Sequence, residues 1–245
     1  MAPAKPANVG KRSFTPDDIY ALEPASAPSV IRIDGQGHAS RFVGLPKGSF
    51  PNGIAFDTTG AFGYRLLVSL AEGKSTTILS IDYRGTIQVL THRAPQVEGG
   101  MVVAPASFGA FAGDLIAPDE LNGMIYAIDS HGVVRPVADS GLPHGGDIGV
   151  ESEAFVPTGF SAQSVAYLAD RSVPGNLHPG TNTVLKLAGS ELERAGVHPG
   201  DLLVASEGGA QTISIRCSQT CSLSHIGSGP TATHAEGHIV FSTGP

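Results

Sequence analysis

Short runs of alternating apolar and polar residues recur along the chain, and most of them end in turn-forming residues. Three runs superimpose, at residues 30–34, 78–82 and 125–129, and each ends in an Asp-x-x-Gly sequence. Alternation with a period of two predicts a strand with one buried face, and Asp-x-x-Gly predicts a tight turn into a second strand. The aspartates lie 48 and 47 positions apart, a spacing typical of an all-β repeat.

Two further sets of short strands share this period. The set that ends near an acidic residue comprises residues 18–22, 64–70, 114–118, 164–169 and 201–206. The set that opens each unit comprises residues 51–56, 97–102, 150–155 and 235–240. We label the opening strands a, the strands that end near an acidic residue b, the runs that end in Asp-x-x-Gly c, and the strands that follow this turn d. Read in order, the chain begins with strands b, c and d, continues with a-b-c-d units, and ends with one a-type strand.

A closed ring explains this order of strands, because the last strand can complete the first unit and leave no sheet edge unpaired. We therefore predict an all-β fold with a single β-propeller of five blades, each of up to four antiparallel strands. The propeller covers residues 16–245 and follows a flexible segment, residues 1–15. The C-terminal strand is expected to pair with the N-terminal blade. Four or six blades, or a β-sandwich, are the alternatives.

The ring would gather polar side chains at one mouth of its central channel. The residues at the start of the a-type strands are Asn52, Glu98, Glu151 and Glu236. Acids that follow the b-type strands reach the same mouth from further out: Glu23, Glu72, Asp119, Glu120, Asp170 and Glu207. We predict a metal site at Asn52, Glu98, Glu151 and Glu236, with Asp119, Asp170 and Glu207 as an outer layer. Alternatively, a Glu or Asn that precedes a glycine can simply cap backbone groups in a turn, with no role in metal binding.

Crowded carboxylates repel one another, so a cation among them is expected. Oxygen ligands favour Ca²⁺, with Mg²⁺ as an alternative. His234, Glu236 and His238 alternate and would share one face of a strand, and His144 lies in a loop at the same mouth. These three histidines could ligate Mn²⁺ or Zn²⁺ or act as catalytic bases.

The charge and composition of the chain limit the classes of partner that the protein is expected to bind. A formal net charge of -7 and a pI near 5.6 argue against nucleic acids and anionic membranes. No apolar run reaches the roughly 20 residues that cross a bilayer. The Pro- and Ala-rich residues 1–6 suggest a mature start from which a leader has been removed. We expect a monomer that binds a small-molecule substrate.

The two cysteines, Cys217 and Cys221, lie between two strand patterns. A disulfide could close this hairpin, which would indicate a secreted or periplasmic protein. A pair of reduced thiols is the alternative.

The opening Pro51-Asn52-Gly-Ile-Ala-Phe-Asp57, with Glu98-Gly and Glu236-Gly, resembles the strand openings of the SMP-30/gluconolactonase/paraoxonase-like propellers. Similar motifs occur in NHL-type propellers and in the streptogramin lyase group. The resemblance implies a divalent metal held by Asn52, Glu98 and Glu236, whereas Glu151 joins them by repeat position alone. It also implies that the metal activates a lactone or ester carbonyl, or a water.

We therefore predict a metal-dependent hydrolase of a lactone or ester. A metal-dependent lyase that removes a proton next to a carbonyl is one alternative. A non-catalytic propeller that binds a ligand or partner and holds a structural calcium is the other.

Overall fold

The structure is a computed structural model that describes residues 13–97 and 99–242. The strands of the described residues form four sheets, with three, four, four and seven strands. We divide the seven-stranded sheet into two groups and call the resulting five groups blades. Blade I contains β1 (Ile19–Glu23), β2 (Ser29–Ile33) and β3 (Ala39–Gly44). Blade II contains β4 (Phe50–Phe56), β5 (Leu66–Glu72), β6 (Ser75–Ile81) and β7 (Ile87–Ala94). Blade III contains β8 (Val102–Val103), β9 (Leu115–Pro118), β10 (Met124–Ile128) and β11 (Val134–Asp139).

The last two blades interleave along the chain. Blade IV contains β12 (Val150–Phe155), β15 (Leu202–Ser206), β16 (Thr212–Cys217) and β17 (Cys221–Gly227). Blade V contains β13 (Val165–Asp170), β14 (Thr183–Ala188) and β18 (Ala235–Ser242). A 3-10 turn, η1 (Gly109–Phe111), follows β8, and a short helix, α1 (Gly189–Arg194), follows β14. No helix in the described part of the chain has the length and apolarity to cross a membrane.

The repeated Asp-x-x-Gly sequences form the turns between the two outer strands of blades I to III. In blade II, Asp82 Oδ1 accepts hydrogen bonds from the backbone N–H groups of Arg84 and Thr86, at 2.9 and 2.8 Å. Gly85 takes the left-handed conformation, with φ of 82°, that the turn requires. Asp34 and Asp129 make the same pair of bonds. The predicted turns are confirmed.

Hydrophobic clusters join neighbouring blades. Leu66 and Val68 of blade II pack against Val30 of blade I, and further clusters join blades II and III, III and IV, and IV and V. Full burial of one such aliphatic side chain contributes about 1.5–3 kcal/mol. Among the described residues, none of these clusters joins blades I and V.

The inner strands lie side by side around a channel. Gly53 forms a parallel bridge to Gly99, the N–H of Gly100 donates to the carbonyl of Glu151 at 2.8 Å, and Glu153 pairs in parallel with His238. Channel cavities of about 460 and 530 Å³ are lined by residues of β4, β8, β12 and β18. This radial arrangement of sheets is that of a β-propeller, so the predicted fold class is confirmed.

The predicted closure of the ring by the C-terminal strand is wrong. Strand β18 pairs antiparallel with β13, in the register Tyr167 to Val240, rather than with blade I. Its residues Ala235 and Ile239 are buried in the cluster that contains Leu203 of β15. Apolar side chains in β18 therefore find a buried surface between blades IV and V, which decides its partner.

Two further observations concern the predicted N-terminal segment and the predicted disulfide. Phe14, inside the segment predicted to be flexible, is buried and packs edge-on against Tyr20 and Phe56. Residues 1–12 lie outside the described residues. Cys217 and Cys221 form the predicted disulfide, which closes the turn between β16 and β17.

Candidate functional site

Three glutamates converge at one mouth of the channel. Glu151 lies at the start of β12, Glu207 directly follows β15, and Glu236 lies near the start of β18. Each offers a carboxylate oxygen, and these oxygens lie within 4.8 Å of one another. Inner strands begin at this mouth and second strands end there, so elements far apart in sequence deliver the three side chains to one point.

His234 lies among these carboxylates. Its side chain is 1% exposed, and its Nε2 lies 3.0 Å from Glu207 Oε1 and 3.3 Å from Glu236 Oε1. The N–H of His234 donates to Asp170 Oδ1 at 2.9 Å, and Asp170 Oδ2 accepts from the N–H of Thr181 at 3.0 Å. Asp170 thus fixes the backbone that carries the imidazole.

Burial has the largest effect on the pKa of Glu207, which is almost completely buried, at 4% exposed. Burial, together with the negative charges of Glu120, Asp147 and Glu236, raises the pKa of Glu207 to about 8, although a hydrogen bond with Glu151 opposes this rise. A carboxyl group in such surroundings either keeps its proton near neutral pH or requires a cation.

One cationic side chain reaches the cluster from blade V. Arg171 forms an ion pair with Glu236, and this hydrogen bond raises the pKa of the guanidinium. The Arg171 side chain is 62% exposed, so it borders solvent rather than the buried part of the site. A groove of about 510 Å³ opens beside Arg171 and Glu236, and Asn182 and Thr183 also line it.

Asp147 completes a second group of ligand atoms. One oxygen of Asp147, one of Glu207 and a ring nitrogen of His234 lie within 4.8 Å of one another. Asp147 has a φ of 67°, its N–H donates to Glu120 Oε1 at 2.7 Å, and its Oδ2 accepts from Asn176 Nδ2 at 2.7 Å. These contacts hold the exposed Asp147 over the mouth.

The four predicted metal ligands have different places. Glu151 and Glu236 come together. Asn52 lies on the neighbouring inner strand, where its Oδ1 accepts from Ser69 Oγ at 2.7 Å and its carbonyl accepts from the N–H of Gly99 at 3.1 Å. Glu98 lies outside the described residues. A Cβ on Gly99 would approach Glu151 Cγ to 2.2 Å, so only glycine admits the Glu151 side chain here.

Of the three predicted catalytic histidines, only His234 contacts the glutamates. His238 lies further along β18, where its Nε2 is 3.1 Å from the carbonyl of Met101. Its side chain is partly exposed, and loss of hydration on the side that faces the protein lowers the pKa of its imidazole. His144 is exposed in the loop before β12, with Nδ1 3.1 Å from the carbonyl of Leu142.

The three acids predicted to form an outer layer also differ. Asp119 shapes the turn after β9 by accepting hydrogen bonds from the N–H of Leu121 and from Asn122. Asp170 anchors His234, as described above. Glu207 lies at the centre of the cluster rather than in an outer layer. Its repeat position correctly predicted that it lies at the mouth but gave no indication that it is buried.

Sequence reasoning missed Glu153, Asp147 and Arg171. Glu153 is fully buried, burial raises the pKa of its carboxyl well above the usual value, and neither of its oxygens has a hydrogen-bond partner within the described residues. Its place one alternation beyond Glu151 was the available signal. Asp147 ends a Gly-Gly-Asp loop and Arg171 follows an acid, and neither pattern predicts a position at the mouth.

The donor set suits a divalent cation. Carboxylate oxygens are the ligands that hard cations prefer, and the Nε2 and Nδ1 atoms of an imidazole suit a transition metal. The buried Glu207 Oε2 and His234 Nδ1 have no hydrogen-bond partner among the described residues. Buried polar atoms of this kind are expected to have a partner, and a cation near Glu207 would supply one.

No protein-family model and no curated protein matches the chain, so the resemblance to SMP-30-like propellers has no support from either. Solved β-propeller structures are similar. A catalytically inactive virginiamycin B lyase from Staphylococcus aureus with quinupristin shares 14% identity over 97% of this chain and 79% of that chain, with a TM-score of 0.45. TolB from Acinetobacter baumannii shares 14% identity over 89% of this chain and 54% of its own, with a TM-score of 0.42. At these values none transfers a role to a residue of this chain.

Proposed function

We propose that the protein is a metal-dependent hydrolase of a lactone or ester, with the cation bound at the channel mouth by Glu151, Glu207 and Glu236. The observation that carries the proposal is the convergence of these three carboxylates around the buried His234. Asn52, also predicted from the sequence, lies on the neighbouring inner strand β4 and is a further oxygen donor. The predicted ligand Glu98 lies outside the described residues. Ca²⁺ is the cation that this oxygen set favours.

In the proposed reaction, each side chain at the mouth has a separate role. A bound cation polarises a carbonyl and favours ionisation of water. His234, with Nε2 3.3 Å from Glu236 Oε1, takes up the proton released as water attacks. Arg171 borders the groove beside Glu236 and orients the carbonyl or carboxylate end of the substrate. Asp170 keeps His234 in place through its backbone.

The test uses apoprotein prepared with a chelator and reloaded with CaCl₂, MgCl₂, MnCl₂ or ZnCl₂. A panel of lactones and aryl esters is then assayed, with products identified by mass. We expect turnover only with a cation. A lactone should give one product heavier than the substrate by one water, and an aryl ester should give an acid and a phenol whose masses add up to those of the ester and one water. Glu207→Gln should lower kcat/KM at least about 100-fold, because it removes a ligand at the centre of the site.

Glu72→Gln is the matched control, because Glu72 ends the second strand of blade II but is exposed. Its activity should equal that of the wild type. Turnover that survives chelation, or its absence in the metal-loaded protein, overturns the proposal. A product of unchanged mass with a new double bond identifies a lyase, and an unchanged ligand that stays bound identifies a binding protein.

We also propose a secreted or periplasmic location, which the Cys217–Cys221 disulfide supports. Thiol counting on denatured protein from the native source should find no free thiol. Two free thiols would contradict this location.

A further inference from the structure

Two groups of ligand atoms at the mouth share one residue. The first consists of Glu151, Glu207 and Glu236, and the second of Asp147, Glu207 and His234, with all atoms of each group within 4.8 Å. A carboxylate has two oxygens, so Glu207 can serve both groups at once. Carboxylates shared in this way hold the paired ions of two-metal sites, about 3.5–4 Å apart.

Glu207, the residue that the two groups share, has a buried carboxylate oxygen without a hydrogen-bond partner among the described residues. Glu207 Oε2 and His234 Nδ1 are buried without a hydrogen-bond partner among the described residues, although both side chains are at least nine-tenths buried. Leaving a buried polar atom without a partner destabilises the folded protein, and a charged group does so more strongly. A cation bound by Glu207 Oε2 would relieve this destabilisation for Glu207.

The charge around the mouth exceeds what one divalent cation balances. Carboxylates of Glu120, Asp147, Glu151, Glu207 and Glu236 surround it, and Arg171 supplies the guanidinium. Within residues 13–97 and 99–242, the charges of Arg171 and one divalent cation do not balance these five carboxylates. Asp147 belongs to the second group and its N–H donates to Glu120, so these two carboxylates add their negative charge beside that group.

The two groups also differ in donor type. Glu151, Glu207 and Glu236 offer only oxygen, which suits Ca²⁺ or Mg²⁺. Asp147, Glu207 and His234 offer two oxygens and a nitrogen, which suits Mn²⁺ or Zn²⁺.

We infer that the mouth holds two cations bridged by Glu207, a hard cation at the all-oxygen position and a transition-metal ion at the position formed by Asp147, Glu207 and His234. The inference rests on the proposed function for its first cation and adds the second. The second ion would neutralise the buried end of the site and complete the coordination of Glu207. With this ion bound, His234 would serve as its ligand, and the ion would take over from His234 the activation of the attacking water.

Equilibrium dialysis of the apoprotein against MnCl₂, followed by elemental analysis, tests the inference. We expect two Mn²⁺ per chain for the wild type and for Glu72→Gln. Asp147→Asn should bind one, because Asp147 serves only the second position. Two Mn²⁺ ions that share a carboxylate should also show a coupled electron paramagnetic resonance spectrum, which Asp147→Asn converts to that of an isolated ion.

Dialysis against two different metals at once distinguishes the two binding positions. Dialysis against CaCl₂ together with ZnCl₂ should give one ion of each per wild-type chain, and Asp147→Asn should lose the zinc and keep the calcium. One metal per chain in both proteins overturns the second position and leaves the proposed function standing. No bound metal in either protein overturns both. Unchanged circular dichroism spectra and melting temperatures of the metal-free variants confirm that they fold.

Discussion

Blades II and IV place a glutamate at the same point, the end of their second strand, but in opposite surroundings. Glu72 of blade II is exposed, whereas Glu207 of blade IV is 4% exposed. Beside Glu207, β12 brings Glu151 and β18 brings Glu236, while the inner strand of blade II carries the neutral Asn52. The repeat therefore determines where an acid lies, and the neighbouring strands determine its chemistry.

The same two blades differ at their other ends. Blade II turns between its outer strands through Asp82, which binds two backbone N–H groups. Blade IV turns between β16 and β17 through the Cys217–Cys221 disulfide. A covalent bond thus takes the place of side-chain hydrogen bonds in the blade that carries the buried glutamate.

The largest expected difference between the blades concerns metal-dependent stability. With CaCl₂ at 100 times its Kd, the wild type should gain about 2.7 kcal/mol, a rise in Tm of about 5–10 °C for a chain of this size. Glu207→Gln should lose this rise and Glu72→Gln should keep it, as measured by calorimetry with and without chelator. Equal rises in both variants would show that blades II and IV do not differ in this respect.

Loss of the disulfide should rank second. Replacing both Cys217 and Cys221 by serine removes a cross-link between residues 4 positions apart. The chain-entropy estimate for so short a loop is about 2 kcal/mol, which thermal melting can measure. A reductant should lower the Tm of the wild type and leave the double variant unchanged. A double variant that melts with the wild type would show that the disulfide contributes no stability.

Acidic pH should stabilise the metal-free protein through Glu207. The folded state raises the pKa of Glu207 to about 8, so this group's contribution to stability is full below about 4.5 and is lost as the pH rises to about 8. In chelator, the Tm of the wild type should fall across this range by at least about 3 °C more than that of Glu207→Gln. Glu72→Gln should follow the wild type. Parallel curves for wild type and Glu207→Gln would contradict the burial effect.

The turn of blade II should show the smallest effect. Asp82→Ala removes hydrogen bonds to Arg84 and Thr86 and should cost about 1 kcal/mol in the free energy of unfolding, measured in urea. Asp139→Ala is the control, because Asp139 Oδ1 accepts a bond from the Gly141 N–H, and its cost should be smaller. A loss for Asp82→Ala as large as that of the disulfide variant would show that the two turns contribute equally.

Local sequence sufficed where neighbouring residues determine the structure. Asp82 and Gly85 specify their turn, because the bonds lie within five residues. The partner of β18 could not be predicted, since two inner-strand places were compatible with its alternation and only the buried surface near Leu203 distinguishes them. Repeat position indicated that Glu151, Glu207 and Glu236 lie at one mouth. The burial of Glu207 and the approach of Asp147 depend on loops without a repeat.

The interleaving of blades IV and V has a consequence for the order of folding. Blades I to III each consist of consecutive strands, so each can form soon after its residues leave the ribosome. Strand β13 can pair early with β14, but its other edge must wait for β18, whose Val240 pairs with Tyr167 across more than 70 intervening residues. Contacts so distant in sequence form slowly. We expect the channel mouth to be the last part of the molecule to assemble, so a nascent or truncated chain would have most of its blades and no functional site.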